Sequence, residues 1–211
     1  MKVKHITIFV VALLIVDQIL KIWVKTDFML GEEVIIFPDW FRLRFIENNG
    51  AAFGMQISSA GAFDWGKLLL SLFRVVMIGG LCYYLYRQAK QGASKMLIIP
   101  LAMIIAGAIG NMIDSAFYGL IFSESTSSTV SQMGEGYAPF MMGRVVDMFY
   151  FPLFKWDGVP DALSFLVDGN NYFFGAIFNL ADSYISVGVV LFLIYSIKVE
   201  RDKKREKEKQ Q

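Results

Sequence analysis

The sequence predicts an all-α membrane protein, a bundle of four transmembrane helices with a small sheet at its outer surface. Three observations predict this. The 211 residues are 55% hydrophobic and only 18% charged, whereas soluble domains run about 45–50% apolar and about 25% charged. Four stretches, 6–24, 68–86, 96–122 and 172–197, are long enough and apolar enough to cross a bilayer core of about 30 Å as helices. Lys and Arg are also shared unequally between their flanks. One side holds Lys2, Lys4, Arg87, Lys90, Lys95 and seven more from Lys198 to Lys209, while two longer loops hold Lys25, Arg42, Arg44, Arg144 and Lys155, with Lys67 at the edge of the first. The richer side is cytoplasmic, so both termini are expected there.

The elements follow in order. The first span is preceded by Lys2 and Lys4, as a leader would be, but Asp17, Gln18 and Lys21 follow its apolar core where a cleaved leader carries small residues. It is read as a retained helix. The outer loop 25–67 contains Val34, Ile35, Ile36, Phe37, Phe41 and Phe45, β-formers that predict a small sheet lying on the membrane. In the second and third spans, Gly79, Gly80 and Gly107 mark expected close helix packing. The outer loop 123–171 opens with a Ser/Thr-rich stretch and turns aromatic and Met-rich. The tail 198–211 is a charged, solvated end. No repeat or second domain is evident, so residues 1–211 form one integral membrane domain. All four Trp fall at or beyond the outer span ends, where Trp favours the membrane–water interface.

Composition removes several chemistries. There is one His, His5, and one Cys, Cys82. No intramolecular disulfide, Ser-His machinery or HExxH zinc site can be built. No metal or organic cofactor is expected. A net charge of +1 gives no pull towards nucleic acid. What remains is ionisable and amide groups inside spans, which are costly in lipid and mark function. Asp17, Gln18 and Lys21 lie in the first span, Arg74 in the second, Asn111 and Asp114 in the third, and Asn179 and Asp182 in the fourth. A rise of 1.5 Å per residue places these groups of the first, third and fourth spans about 16–27 Å from the cytoplasmic ends. Three helices thus put polar groups in one layer of the outer half-membrane. Asp147 can dip to the same depth. Two close carboxylates can share a proton, one acting as base on water and the other as acid towards a carbonyl. Asp147 and Asp182 are the best pair for such aspartic-protease chemistry, and Asp114 and Asp17 compete on composition alone.

The ordered motifs D-Q-x-x-K (Asp17, Gln18, Lys21), N-x-G-A-A-F-G (48–54), G-x-x-G-N-x-x-D (107–114), G-x-V-V-D (143–147) and F-N-x-A-D-S (178–183) resemble those of the bacterial lipoprotein signal peptidases, the signal peptidase II family. The resemblance implies a multi-pass aspartic endopeptidase of the inner membrane, with its active site towards the periplasmic side. It would remove signal peptides from prolipoproteins just before a diacylglyceryl-modified Cys. It implies a four-helix bundle with an extracytoplasmic β-cradle and a short outer loop helix. It assigns catalysis to Asp147 and Asp182, and supporting or substrate-orienting roles to Asn48, Asn111, Asp114 and Asn179, with Asp17 and Lys21 bracing the site. The expected partners are that substrate and the bilayer, with the chain a monomer. Two departures stand out. The family places Arg where this chain has Ser115, so Arg74 or Arg144 is expected to supply the cation. The stretches 116–142 and 154–171 are longer than in the family. The rival reading is a small proton- or ion-coupled transporter, which also places acids in spans.

Overall fold

The computed structural model describes residues 1–38, 40–49, 65–167 and 169–209; the G-A-A-F-G part of the second motif lies outside them. Among the described residues, four helices are long and apolar enough to cross a membrane: Val3–Asp27, Trp65–Lys90, Lys95–Ile121 and Leu180–Glu208. We label the elements α1 (Val3–Asp27), β1 (Glu33–Phe37), β2 (Phe41–Asn48), α2 (Trp65–Lys90), α3 (Lys95–Ile113), α4 (Gly119–Ile121), β3 (Val145–Tyr150), β4 (Ile177–Phe178) and α5 (Leu180–Glu208). A π-helical turn, Asp114–Tyr118, joins α3 to α4. Such turns recur at functional sites, and this one carries Asp114.

The expected fourth span over 172–197 is corrected at its start. Residues 172–178 are extended or turn-like, and α5 begins at Leu180. The cause is a capping box. Asn179 Oδ1 accepts from the Asp182 N–H at 2.9 Å, while the Asn179 N–H donates to Asp182 Oδ2 at 3.3 Å. Two backbone donors at the helix start are thereby satisfied. At the other end, α5 continues through the charged tail to Glu208.

The helices pack around α3. Gly107 allows α3 to approach α5 closely, since a Cβ there would lie 2.2 Å from the Ala181 carbonyl oxygen. Gly107→Ala is therefore expected to destabilise the bundle by about 1–3 kcal/mol, the usual cost of overpacking, read as a lower unfolding midpoint in detergent. A wild-type midpoint would mean the helices separate without cost. Gly79 and Gly80 do not share this role. Nothing lies within 4 Å of a Cβ built at either, because α2 sits at the edge of the bundle and turns that face outward.

Among the described residues, the sheet has four antiparallel strands in the order β1-β2-β3-β4. It draws on both outer loops, where the sequence pointed only to the first. In β3 every residue but Phe149 is buried, so no apolar–polar alternation advertises the strand. A cluster of Val24, Phe28, Phe45, Tyr118, Phe122, Val146 and Met148 seats the sheet on α1 and the end of the third span. This seating carries β3, and Asp147 with it, to the layer of buried polar groups. The second outer loop also contains a 3-10 turn, Asp161–Leu166.

Candidate active site

The site is built where β2, β3, α3 and the N-terminus of α5 converge. Asp147 lies mid-strand in β3, opposite Ile46, and is 1% exposed. Its Oδ1 accepts from Asn179 Nδ2 at 2.6 Å, and its Oδ2 accepts from the Asn48 amide. Asp182 is partly exposed. Its Oδ1 accepts from Asn111 Nδ2 at 2.8 Å, and its Oδ2 accepts from the Asn179 backbone. Asn179 therefore touches both carboxylates, one through its side chain and one through its main chain. Its amide also donates to Asn111 Oδ1 at 3.1 Å. Asp182 occupies the first turn of α5, where the helix dipole favours negative charge.

Beneath the amides lies a buried charge cluster. Lys21 Nζ is 2.8 Å from Asp114 Oδ2, 3.1 Å from Asp17 Oδ2 and 2.8 Å from Asn111 Oδ1. Asp17, Lys21 and Asp114 are each at most 1% exposed. Asp17 Oδ1 accepts the Ala181 N–H at the start of α5 at 2.9 Å, and Asp114 Oδ2 accepts the Val146 N–H beside Asp147 at 3.3 Å. The cluster thus fastens both elements that carry the candidate dyad. Gln18, which the sequence placed in a motif but not in a role, donates to Asp114 Oδ1 at 3.0 Å and accepts from the Tyr118 hydroxyl at 3.1 Å.

Burial pushes the Asp147 carboxyl up to about 7, and the nearby Asp182 charge adds to the rise; the Asn179 and Asn48 amides and the Lys21 charge act against it. Near neutral pH, Asp147 is therefore poised to hold the proton of a carboxylate pair. Among the described residues, no group of three or more His, Cys, Asp or Glu side chains is arranged to hold a metal ion.

The structure separates the two candidate cations. Arg144 engages two other acids instead of the candidate dyad, its Nη1 lying 3.3 Å from Glu47 Oε2 and its Nη2 3.1 Å from Glu124 Oε1. Arg74, on α2, is the one whose charge acts on Asp182. Ser115, standing where the family has Arg, is buried and donates back to the Asn111 carbonyl at 3.1 Å. Asn48, Asn111, Asp114, Asn179, Asp17 and Lys21 are all brought into one connected network with Asp147 and Asp182, while Arg144 joins a separate one.

Comparisons with known proteins agree with this architecture. Residues 9–198 match the family described as Signal peptidase (SPase) II. A protein of Porphyromonas gingivalis named lipoprotein signal peptidase is 44% identical over 196 residues, covering 90% of this chain and 82% of that relative. Its counterpart of the same name in Amoebophilus asiaticus is 32% identical, covering 85% of this chain and 72% of its own length. A solved bacterial membrane enzyme superposes with a TM-score of 0.64 at 21% identity, covering 95% of this chain and 92% of that one. Family match, identity over most of the length and shared fold agree: the chain is a bacterial multi-pass membrane protein that belongs to the signal peptidase II family.

Proposed function

We propose that Asp147 and Asp182 are the catalytic dyad of this membrane aspartic endopeptidase, and that it removes signal peptides from diacylglyceryl-modified prolipoproteins by cutting just before the lipid-bearing Cys. The observation that carries the assignment is Asn179, whose single residue holds one oxygen of each carboxylate. In the free enzyme the proton resides on Asp147. Asp182 takes a proton from water as the water attacks the scissile carbonyl, and Asp147 gives its own to the carbonyl oxygen. Asn48, Asn111 and Asn179 hold the acids in place. Lys21, Asp17 and Asp114 fix the elements behind them, and Arg74 places positive charge near Asp182. The active site faces the periplasm in the outer half of the inner membrane, with both termini in the cytoplasm. The diacylglyceryl chains stay in the outer leaflet while the bond to be cut sits at the depth of the dyad. The chain acts as a monomer within the bilayer. Nothing in the comparisons favours the transporter reading.

The test is cleavage of a diacylglyceryl-modified prolipoprotein by the purified protein in detergent, followed against pH. The Asp147 shift is upward, so its proton is held below about pH 7 and lost above it. The value of kcat/KM is expected to follow a bell, falling about tenfold per pH unit above that point because loss of the single shared proton removes the acid, and falling again in more acidic solution where a second proton on the pair removes the base. A profile flat to pH 9 would exclude a protonated Asp147 from the reaction, and no cleavage at all would exclude the substrate class.

A further inference from the structure

A second buried ionic cluster stands beside the dyad network. Lys25, in the last turn of α1, is fully buried and pairs with the Glu47 carboxylate, itself 2% exposed. Ser125 Oγ accepts from Lys25 Nζ at 3.0 Å and donates to Glu47 Oε1 at 3.0 Å. Arg144 takes the other oxygen of Glu47. The Tyr137 ring lies between the two cations, 5.1 Å from Lys25 Nζ and 5.3 Å from the Arg144 guanidinium, and its hydroxyl accepts the Arg144 N–H at 2.6 Å. Four parts of the chain therefore meet at one carboxylate: the end of α1, β2, the long segment 123–142 and the approach to β3.

The position of that carboxylate is informative. Glu47 pairs with Val146 and Asn48 with Val145, so the cluster closes one residue away from the Asn48–Asp147 contact on both strands. The register of β2 against β3 shifts between Leu43 and Ile46, immediately before it. A bulge of this kind bends a strand and loosens its local pairing, so alignment beyond it needs another restraint. Stability alone would not call for an ionic one, since a well-packed apolar pair serves as well or better at a buried position. What an apolar pair lacks is directional hydrogen bonding.

We propose that Glu47 is a positioning residue for Asp147. Held by Lys25, Ser125 and Arg144, it sets β2 against β3 so that the Asn48 amide meets the Asp147 carboxylate, and segment 123–142 is the latch that closes over it. The segment closes on itself through Ser123 N–H to Gln132 O and is tied to the end of the third span by Gly134 N–H to Ile121 O, Tyr137 N–H to Phe122 O and Ala138 N–H to Gly119 O. It thus transmits its hold from the bundle to the catalytic strand. The inference rests on the dyad reading of Asp147 and Asp182.

The experiment compares Lys25→Met/Glu47→Gln, which removes both charges together, with Ser125→Ala, Glu47→Asp and wild type in the full-length protein, all assayed on diacylglyceryl-modified prolipoprotein. Folding is followed by monodisperse elution and thermal midpoint. The double variant is expected to fold, to lose about tenfold in kcat and to keep KM within about twofold, as displacement of a catalytic group without loss of binding requires. Its alkaline limb should move to higher pH. The groups facing Asp147 are Asn48 from β2, Asn179 and Asp182 from the α5 end, and Lys21 from α1. Of these, only Asn48 is released, and its hydrogen bond is one that holds the Asp147 proton affinity down. Ser125→Ala should shift both readouts in the same direction by less, and Glu47→Asp should retain part of the lost kcat. A double variant that fails to fold, or that folds with wild-type kcat and an unmoved limb, gives the cluster a merely structural role and overturns the inference. Asp147→Asn, run alongside, keeps the two ideas apart: if that variant turns over normally, it is the dyad reading that fails.

Discussion

Replacing either Asp147 or Asp182 with Asn is expected to leave the protein folded and to lower turnover of a lipidated prolipoprotein at least about a thousandfold, the scale of a positioned general acid or base. The two variants should differ in stability. Asp147 is buried and accepts from two amides, Asn179 and Asn48. An Asn there must turn its own NH₂ towards one of those donors, leaving a donor opposite a donor at a cost of about 1–3 kcal/mol. Asp182 also accepts from two donors, Asn111 and the Asn179 N–H, but it is partly exposed, so water can serve the donor that an Asn leaves unpaired; beyond this, its loss at the α5 start removes a favourable charge–dipole contact of about 0.3–1 kcal/mol. Thermal midpoints in detergent should therefore fall further for Asp147→Asn than for Asp182→Asn, while activity falls as far for both. Near-normal turnover by either single variant would remove it from the dyad.

Lys21→Met is expected to be the most destabilising substitution in the first span. Lys21 is the cation between two carboxylates, Asp17 and Asp114, and all three are shielded from solvent. Removing it leaves two buried acids without their counter-charge, a loss of about 3–5 kcal/mol for breaking a buried pair. The damage should reach the dyad, because Asp17 holds the Ala181 N–H and Asp114 holds the Val146 N–H. Adding Asp17→Asn to Lys21→Met should recover part of the loss by removing one orphaned charge. Unfolding in a denaturing detergent gives the measurement. A Lys21→Met protein as stable as wild type would mean the acids are solvated or neutral without it.

The sequence made some of this visible and hid the rest for physical reasons. Spans were legible because twenty apolar residues in a row have few other meanings, and Asp17, Lys21, Asn111, Asp114, Asn179 and Asp182 stood out because lipid makes each of them costly. The start of α5 was misplaced because Tyr172, Phe173 and Phe174 suit a span as well as a strand, and only the Asn179–Asp182 cap decides between them. Strand β3 was hidden by burial on both faces. Arg144 was one of two cations expected to stand in for the family Arg missing at Ser115, yet its side chain finds Glu47 and Glu124. Lys25 counted only among the cations of the loops and Glu47 drew no expectation, because nothing local to either shows that they meet inside the protein.

The fasteners of the two acids are Asn48, Asn111 and Asn179, where many hydrolases would use an imidazole. A carboxamide neither gains nor loses H⁺ over any acidity a cell meets. In the proposed orientation the catalyst is turned to the exterior and must work in whatever medium surrounds the cell; a swing in that medium would alter occupancy of the proton assigned to the proposed dyad while the frame around it keeps its shape. Imidazole-directed reagents, which find only His5 to modify, should consequently leave activity unchanged.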